Sequence, residues 1–479
     1  MAAPISVATF LAAALLLSLG ETTIPPSVRV TCTVQPLPIP QVDYEPLLRP
    51  GAHGMPTLNL SLVNYSRTVV KTHQAVVMES EFVKVVLLPA MGRLYRMVYK
   101  PTGHDVLWRN DIAWPGGANN ALGWWLWIGG VEYTLPGEEH GYTWALEWAW
   151  RVEPPAAGDG GGRSVAATVV EPTTGLRETL RWTLAPGSAA LQTHVLIENP
   201  GASVETFAHW VNVPFVPGGT NELTDNTELL IPTEAINISS RWQADLGSSP
   251  QAWPASPLRF LKGWSKGMGD IMAQPLLEGY HGVYSHDLHE GAVRIVDKNV
   301  NPEVDTWTYG FHPPKGTVPM GSGAASTGYA EMWGGNARCN TLGPLYCNVR
   351  EPLAPNTTLQ WTESLYAFHG IGGLSVATEQ LAVRGAVGNK GAVDVSLCAA
   401  RELDGLSVRL LEANKPLTTR NISGTIRPGV VERCALSTSG AATASSMEVV
   451  VLSGTGEELA RFVPATAASF TTHHRAEAQ

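Results

Sequence analysis

Short runs rich in β-branched residues recur along most of this chain, and their repetition is the feature that most constrains its fold. Such runs occupy residues 69–72, 83–86, 165–170 and 191–196, and clusters of Gly, Pro and Asn separate them. β-branched runs bounded by turn residues are typical of strands. Because no long stretch keeps the apolar period of about 3.6 residues that an amphipathic helix needs, the sequence predicts an all-β protein with short strands and long loops.

The size and charge of the chain exclude several functions. The chain has 479 residues, more than one ordinary hydrophobic core supports, so we expect two domains. Its net charge is -10, and only 15% of its residues are charged. Proteins that bind nucleic acid carry basic stripes, and docking on an anionic membrane also needs positive charge. We therefore expect no nucleic-acid partner and no membrane partner.

The N-terminus is typical of a secretory signal. An apolar run covers residues 5–19, so residues 1–20 are predicted to be a signal peptide that is cleaved from the secreted protein. The alternative is a short membrane anchor, but the run is too short to span a bilayer comfortably. Asn-x-Ser/Thr sequons also favour an extracellular glycoprotein. They begin at Asn59, Asn64, Asn237, Asn356 and Asn421.

Five cysteines suggest how an oxidising compartment would cross-link the chain. We expect Cys339 to pair with Cys347 and Cys398 with Cys434, because the members of each pair lie in one region of the sequence. Cys32 is then left over near the mature N-terminus. The sequence contains no Cys-x-x-Cys spacing, so we expect no zinc site on the cysteines. The His-Asp-Leu-His run at 286–289 suggests a metal, but hydrogen bonds to a substrate or support of a cleft suit it better, so we expect no metal and no cofactor.

A shift in tryptophan content marks a domain boundary. Residues 21–65 are rich in proline and are predicted to be a linker or an extended lead-in arm. All 16 tryptophans lie between Trp108 and Trp361, and the glycines of residues 370–373 make a natural hinge. We therefore predict a large β domain at 66–374 and a small β-sandwich at 375–470 that acts as a spacer or packing module. Residues 471–479 are predicted to be a disordered tail.

Four motifs occur in an order that is familiar from one superfamily. They are Leu-Pro-Ala-Met-Gly-Arg-Leu at 88–94, Glu-His-Gly-Tyr at 139–142, Phe-Ala-His-Trp-Val-Asn at 207–212 and Tyr-Ala-Glu-Met-Trp at 329–333. In this order they resemble the galactose mutarotase-like (aldose 1-epimerase-like) superfamily. A closer resemblance is to an uncharacterised secreted or bacterial-type branch of it, over roughly residues 66–374. That resemblance rests on residues 282–287, 291–297, 307–310, 361–363 and 370–373.

The resemblance implies a supersandwich, two large antiparallel sheets packed face to face, with a sugar cleft on the concave side. Mutarotation removes the proton of the anomeric hydroxyl and protonates the ring oxygen, and a carboxylate and imidazoles suit both steps near neutral pH. Glu331 is the predicted base, His209 the acid and His140 the residue that orients the substrate. Each residue also has a simpler alternative. Glu331 would be an ion-paired carboxylate at a strand end, His209 a histidine of the core, and His140 part of a solvated turn.

Further residues are predicted to bind the sugar. Arg93 would clamp a hydroxyl or a carboxylate with its planar fork, or would pair with a structural acid such as Asp105. In a strand Trp124 and Trp125 point to opposite faces, so one belongs to the core and the other can stack on a sugar. The predicted binding residues are Arg93, Asn120, Trp125, His286, Asp287, Trp307 and Trp333.

Three functions stay open at this point, all with a carbohydrate partner, whether a mono-, oligo- or polysaccharide. The first is aldose 1-epimerase chemistry. The second is a polysaccharide lyase or a glycoside hydrolase, because Ala208 replaces the usual Asn before His209 and the many tryptophans suit a polymer. A lyase would use His209, Tyr284 or Tyr309 with Arg93, and a hydrolase would pair Glu331 with Asp287 or Glu363. The third is a carbohydrate-binding protein without turnover.

Overall fold

The computed structural model describes residues 29–155, 160–264, 269–273, 275–309, 328–336, 349–388, 392–437 and 447–466. The predicted signal peptide, the predicted tail and the Cys339–Cys347 pair lie outside these ranges. Strands dominate the described residues, so the predicted all-β class is confirmed. One short α-helix, α1 (Gln243–Leu246), is present among them. Single 3-10 turns lie at Glu45–Leu47, Ala52–Gly54, Leu60–Leu62, Pro89–Met91, Thr143–Ala145, Pro257–Arg259 and Leu261–Gly263.

The strands fall into three successive groups along the chain. The first group is β1 (Thr31–Val42), β2 (Arg49–Pro50), β3 (Pro56–Thr57), β4 (Thr68–Glu79), β5 (Val83–Leu88), β6 (Arg93–Tyr99), β7 (His104–Asp105), β8 (Arg109–Gly117) and β9 (Trp124–Gly129). The second group is β10 (Glu132–Thr134), β11 (Ala149–Val152), β12 (Arg163–Val170), β13 (Arg177–Leu184), β14 (Leu191–Asn199), β15 (Glu205–Phe207), β16 (Trp210–Phe215), β17 (Thr227–Leu230), β18 (Ala235–Ile238), β19 (Gln251–Ala252), β20 (Gly269–Ala273), β21 (Tyr280–Ser285), β22 (Glu290–Ile295), β23 (Val304–Tyr309), β24 (Tyr329–Gly335), β25 (Glu351–Leu353) and β26 (Thr357–His369). The third group is β27 (Val376–Ala377), β28 (Leu381–Val387), β29 (Val393–Ala399), β30 (Leu403–Glu412), β31 (Lys415–Ile426), β32 (Val431–Leu436), β33 (Met447–Ser453), β34 (Glu458–Phe462) and β35 (Ala465–Thr466).

Three large sheets form the body of the fold. Sheet I has the strand order β7-β6-β5-β4-β1-β8-β9, sheet II the order β10-β16-β24-β23-β20-β18-β19, and sheet III the order β11-β12-β13-β14-β26-β22-β21-β17. One continuous apolar core contains buried side chains from all three, such as Val85 of sheet I, Met332 of sheet II and Val195 of sheet III. The sequence therefore predicts the sandwich architecture correctly.

The proline-rich segment ahead of the large domain is not a free arm. β1 pairs along its whole length with β4, from Thr31 opposite Glu79 to Val42 opposite Thr68. Its three prolines lie at alternate positions, residues 36, 38 and 40. Alternate residues of a strand direct their N–H groups to the same edge, so the missing donors all fall on one edge and leave the ladder with β4 intact. The prediction of a lead-in arm is therefore wrong for residues 31–42.

The C-terminal strands form a small sandwich that packs on sheet III. Its two sheets have the orders β27-β28-β29-β32 and β31-β30-β33-β34. Along β26, Leu365 and Ala367 belong to the large core, whereas Tyr366 and Phe368 belong to a second core that they share with this sandwich. Sheet III is thus covered on both faces, because alternate side chains of a strand point to opposite sides. The C-terminal sandwich acts as packing for sheet III.

The predicted disulfide between Cys398 and Cys434 is wrong. Both residues are free thiols, as is Cys32. On the paired strands β29 and β32, Cys398 lies opposite Val431 and Cys434 lies opposite Val395. The register therefore separates the two cysteines by three positions, or roughly 10 Å along the strands, beyond the reach of about 7 Å between Cα atoms that a disulfide allows.

The shared core predicts that damage at the interface destabilises the protein. Phe368 is fully buried, and its ring stacks on Tyr284 with the centroids 5.8 Å apart. We expect Phe368→Ala to lower the free energy of unfolding by about 3–5 kcal/mol, because it empties a buried aromatic site. Urea denaturation would measure this loss. As a control, Leu62→Ala changes a side chain that is 63% exposed and should cost less than about 0.5 kcal/mol; equal losses in the two variants would contradict the shared core.

Candidate functional site

A cavity of about 400 Å³ lies on the face of sheet II that points away from sheet III. Alternation along the strands produces this division. In β24, Ala330 and Met332 point into the large core. The alternate residues Glu331 and Trp333 point the other way and line the cavity. Sheet I supplies the other wall through β8 and β9. The lining residues are Trp114, Gly116, Gly117, Trp125, Trp127, Gly137, Glu138, Glu139, His140, Trp210, Asn212, Arg241, Trp242, Asp270, Trp307, Tyr329, Glu331 and Trp333.

The strand register of sheet II arranges the lining side chains in rows. Glu331 of β24 lies opposite Trp307 of β23, which lies opposite Asp270 of β20. In the neighbouring row, Trp333 lies between Asn212 of β16 and Asp305 of β23. Cross-strand partners have their Cβ atoms about 5 Å apart, so carboxylates and indole rings alternate across the floor of the cavity.

His140 reaches the cavity from the loop that follows β10. It adopts a left-handed backbone conformation, with φ of 59°, which is uncommon outside glycine. Its ring stacks flat on Trp125, with the centroids 3.7 Å apart and the planes 5° from parallel. Asn120 ties the loop down, because its Nδ2 donates to the carbonyl oxygens of Glu139 and Gly141 at 3.0 Å each. The imidazole is therefore held in one position.

A buried ion chain lies behind His140. Arg93 is 2% exposed; its Nη1 donates to the Gly129 carbonyl at 2.9 Å, and its Nη2 lies 3.4 Å from Glu132 Oε1. The other oxygen of Glu132 lies 3.3 Å from His140 Nδ1. Burial acts to raise the pKa of Glu132, but the charges of Arg93 and His140 outweigh it and hold the pKa below its ordinary value. Glu132 is therefore a fixed negative charge beside the imidazole.

The protonation of His140 follows from these neighbours. Burial acts to lower the pKa of His140, but the carboxylates of Glu132, Glu331 and Glu139 together raise it above its ordinary value. Burial raises the pKa of Glu331, and the charge of Glu132 adds to that effect, whereas His140 opposes it. Tyr329 also donates to Glu331 Oε1 at 3.4 Å. His140 and Glu331 thus face the same cavity and influence each other's protonation.

Asp270 is a second carboxylate of the cavity floor. Its side chain is 3% exposed. Burial, followed by the charge of Glu331, raises its pKa well above the ordinary value, and Arg241 opposes this effect. Asp305 lies nearby on β23, and burial, Asp270 and Glu303 likewise raise its pKa well above the ordinary value.

Of the predicted site residues, the structure brings five together: Glu331, His140, Trp125, Trp307 and Trp333 all line the cavity. The predicted acid His209 is not among them. Its side chain has no exposed surface, its Nε2 lies 2.8 Å from Glu178 Oε1, and its ring packs edge-on against Trp361. Because adjacent residues point to opposite faces, Trp210 reaches the cavity and His209 points into the core between the sheets.

Four predicted binding residues also lie outside the cavity lining. Arg93 and Asn120 stand behind it, where they hold Glu132 and the His140 loop. His286 and Asp287 belong to the turn between β21 and β22 of sheet III: His286 Nε2 lies 2.6 Å from Glu228 Oε2, and Asp287 Oδ1 accepts from Asn226 at 2.8 Å. Neither residue is among those that line the cavity, so the prediction that His286 and Asp287 contact the substrate is corrected.

The residue sets that were considered for a lyase and for a hydrolase do not meet either. Tyr284 is buried and accepts a hydrogen bond from the Gly372 N–H at 2.9 Å. Glu363 is buried and pairs with Arg294 at 2.6 Å. Neither lines the cavity, and the side chain of Tyr309 lies outside the described part of the structure.

Several cavity residues carry signals that the sequence analysis missed. Asp270 is the one charged residue in the otherwise apolar strand β20, and a lone carboxylate in such a strand must face a polar site or a partner. Trp210 and Asn212 alternate with the core residue Val211, which indicates a second functional face on β16. Glu132 and Arg241 have no comparable signal.

The ion chain predicts how one substitution changes the titration of His140. Glu132→Gln removes the carboxylate that raises the pKa of His140 most. We expect the pKa to fall from above its ordinary value to below it, because burial then dominates the weaker influence of Glu331 and Glu139. An NMR titration of the imidazole would measure the change. Glu234→Gln, which alters an exposed carboxylate, should leave the titration of His140 unchanged. If His140 titrates identically in the two variants, the interaction between Glu132 and His140 is contradicted.

The position of His209 predicts a structural role. Removing one partner of a fully buried pair costs about 3–5 kcal/mol, so we expect His209→Gln to lower the free energy of unfolding by that amount. The titration of His140 should not change, because the two histidines lie on opposite faces of sheet II. Denaturation and NMR titration of the same sample test both statements. His286→Gln, at a pair that is partly exposed, should cost less; the opposite order would show that His209 is not part of the core.

Comparison with known structures supports the fold. A TPR-domain containing protein from Parabacteroides distasonis matches 73% of this chain at 18% identity and a TM-score of 0.57, and this chain covers 57% of that protein. Galactose mutarotase-like proteins from Clostridium acetobutylicum and Lactobacillus casei match 64% and 61% of this chain, each at 10% identity, with TM-scores of 0.42 and 0.41. These matches cover 97% and 99% of those two proteins.

Structural neighbours of this chain thus include galactose mutarotase-like proteins, as the sequence predicts. At the level of sequence families, residues 59–337 match the model of a domain of unknown function, DUF5107. Because this match covers more than half of the chain, the protein belongs to the DUF5107 family.

Proposed function

We propose that the cavity of sheet II binds one sugar and interconverts its anomers by aldose 1-epimerase-type chemistry. Glu331 acts as the base and His140 as the acid. The observation that carries this proposal is the meeting of these two groups in one aromatic cavity, where each shifts the pKa of the other. The acid differs from the sequence prediction, because His140 takes the role that His209 cannot reach.

The proton inventory of this pair fits ring opening and closure. His140 starts protonated and Glu331 starts as a carboxylate. Glu331 accepts the proton of the anomeric hydroxyl while His140 donates to the ring oxygen, so the ring bond breaks and an open-chain carbonyl forms. After the carbonyl rotates, Glu331 returns its proton to the carbonyl oxygen and His140 takes back the proton of the chain hydroxyl. The pair ends as it began, and no net proton is consumed.

The walls of the cavity suit a sugar. Its volume of about 400 Å³ falls toward the lower end of the range of roughly 300–1,000 Å³ that is typical of small-molecule sites. Indole rings supply apolar faces against which the C–H groups of a sugar can pack. Carboxylates and the amide of Asn212 supply acceptors and donors for hydroxyl groups. The tryptophans of the wall are Trp114, Trp125, Trp127, Trp210, Trp242, Trp307 and Trp333.

A second candidate function uses the same floor. A glycoside hydrolase needs two carboxylates on either side of the scissile bond, and both Glu331 and Asp270 line the cavity. This pair replaces the predicted partners of Glu331, Asp287 and Glu363, which lie elsewhere. A carbohydrate-binding protein without turnover would use the same walls and is distinguished by the experiment below.

We also propose that the protein acts outside the cell. The apolar run at residues 5–19 supports this proposal, and so does the exposure of sequon residues Asn59, Asn64, Asn356 and Asn421, which glycosylation requires. Within the described residues, no helix has the length and apolar character needed to cross a membrane.

The proposal predicts the outcome of a conservative change at the base. Glu331→Gln keeps the shape of the side chain but cannot accept the proton. We expect its anomerisation rate on a responsive aldose to fall about 10²–10⁴-fold, the contribution typical of a general acid or base, with sugar binding retained. Polarimetry on a panel of freshly dissolved aldoses measures the rate, and tryptophan fluorescence measures binding.

His140→Gln should lose a similar factor, and His286→Gln, a histidine outside the cavity, should keep the wild-type rate. Sugar binding without any rate above the solvent background in wild type would favour the non-catalytic alternative. Cleavage of aryl glycosides that is lost in both Glu331→Gln and Asp270→Asn would favour the hydrolase instead.

A further inference from the structure

We propose that the sugar bound in this cavity is an amino sugar, and that Asp270 recognises its protonated amine. This inference deepens the proposed function and rests on it, because it names the substrate class of the same site. Three features of the described residues carry it: a buried carboxylate oxygen without a donor, a concentration of negative charge around it, and two indole rings beside it.

The first feature is the unsatisfied oxygen of Asp270. The side chain lines the cavity and is 3% exposed, and its Oδ1 atom accepts no hydrogen bond from any described residue. A buried acceptor without a donor is costly, and such groups mark places where a ligand completes the site. The other acids that line the cavity are better supplied: Glu138 Oε2 accepts from the Ala121 N–H at 2.9 Å, and Glu139 Oε2 accepts from the Asn119 N–H at 2.6 Å.

The second feature is the charge around Asp270. Glu331 lies across Trp307 from Asp270, and Asp305 lies on the neighbouring strand β23. The charge of Glu331 raises the pKa of Asp270, and the charge of Asp270 raises the pKa of Asp305. A neutral hydroxyl can donate to Asp270 but leaves this repulsion in place. An ammonium group donates and also cancels charge, so the binding energy of a cation is larger here than that of a hydroxyl.

One cation of the protein is already close to this point. Arg241 lines the cavity and acts to lower the pKa of Asp270. Its side chain is exposed, however, and its guanidinium lies over the Trp242 ring at 5.2 Å from the centroid. Arg241 therefore places its positive charge at the rim of the cavity, where water screens it. Because this screened charge compensates Asp270 only weakly, the buried floor still favours a cationic ligand.

The third feature is the pair of indoles beside Asp270. Trp307 is its direct cross-strand partner, and Trp242 packs edge-on against Trp307 with the centroids 5.4 Å apart. Both rings line the cavity. A cation near the face of a tryptophan is attracted by the π electrons, so the indoles and the carboxylate favour the same ligand group. The same floor disfavours uronates and sugar phosphates, because their anions would meet Asp270 and Glu331.

Calorimetry on the full-length protein tests the inference with matched sugars. The ligands are glucosamine, galactosamine and mannosamine, their parent hexoses, and their neutral N-acetyl derivatives, at about pH 6.5 where a primary amine is protonated. We expect at least one amino sugar to bind about tenfold or more tighter than both its parent and its N-acetyl derivative. Asp270→Asn keeps the side-chain volume but removes the negative charge, and it should abolish this preference.

Asp287→Asn is the matched control, since it makes the same chemical change at an exposed aspartate of sheet III, and it should keep the preference. Equal affinity for amino and neutral sugars in wild type, or a preference that survives in Asp270→Asn, would overturn the inference. If neutral hexoses bind and anomerise without any gain from the amine, the inference fails and the proposed function stands. If no sugar binds, both fail together.

Discussion

The alternation of side chains along the strands of sheet II decides both which residues fill the core of the sandwich and which residues reach the cavity. Strands β16, β24, β23 and β20 of this sheet contribute one face to the core of the sandwich and line the cavity with the other. Val211, Ala330 and Met332 point to the core, and Asn212, Glu331 and Trp333 point to the cavity. A shift of one position would exchange the two sets, so the apolar core fixes which polar groups can reach a ligand.

Buried charge gives this cavity its chemical character. Arg93, Glu132, His140 and Glu331 form a sequence of interacting groups that extends from the core to the cavity floor. In surroundings of low polarity their interactions are stronger than in water, and each protonation state depends on its neighbours. Positioning residues such as Arg93 and Asn120 matter because they hold this arrangement, although neither touches the cavity.

Sequence motifs predicted which neighbouring residues share a strand face, because the residues of each motif are local. Glu331 and Trp333 are two positions apart on one strand, so they share a face whatever the rest of the fold does. His140 lies in the short loop after β10, where Gly137 and Gly141 adopt positive φ and let the chain turn back. Motifs failed where the face of a strand had to be chosen. In the pair His209 and Trp210 the chemistry of histidine favoured the wrong neighbour, and only the core between sheets II and III decides between them.

The all-β class, the sandwich architecture and the motifs that carry Glu331 and His140 can be read from the sequence. These follow from local patterns, since β-branched runs, turn residues and short motifs act within a few positions. Tertiary structure alone decided that Thr31–Val42 is a paired strand, that Cys398 and Cys434 stay apart, and that Asp270 rather than Asp287 joins Glu331. Each of these depends on which distant strands become neighbours and in which register, and that choice is made by the packing of the whole core.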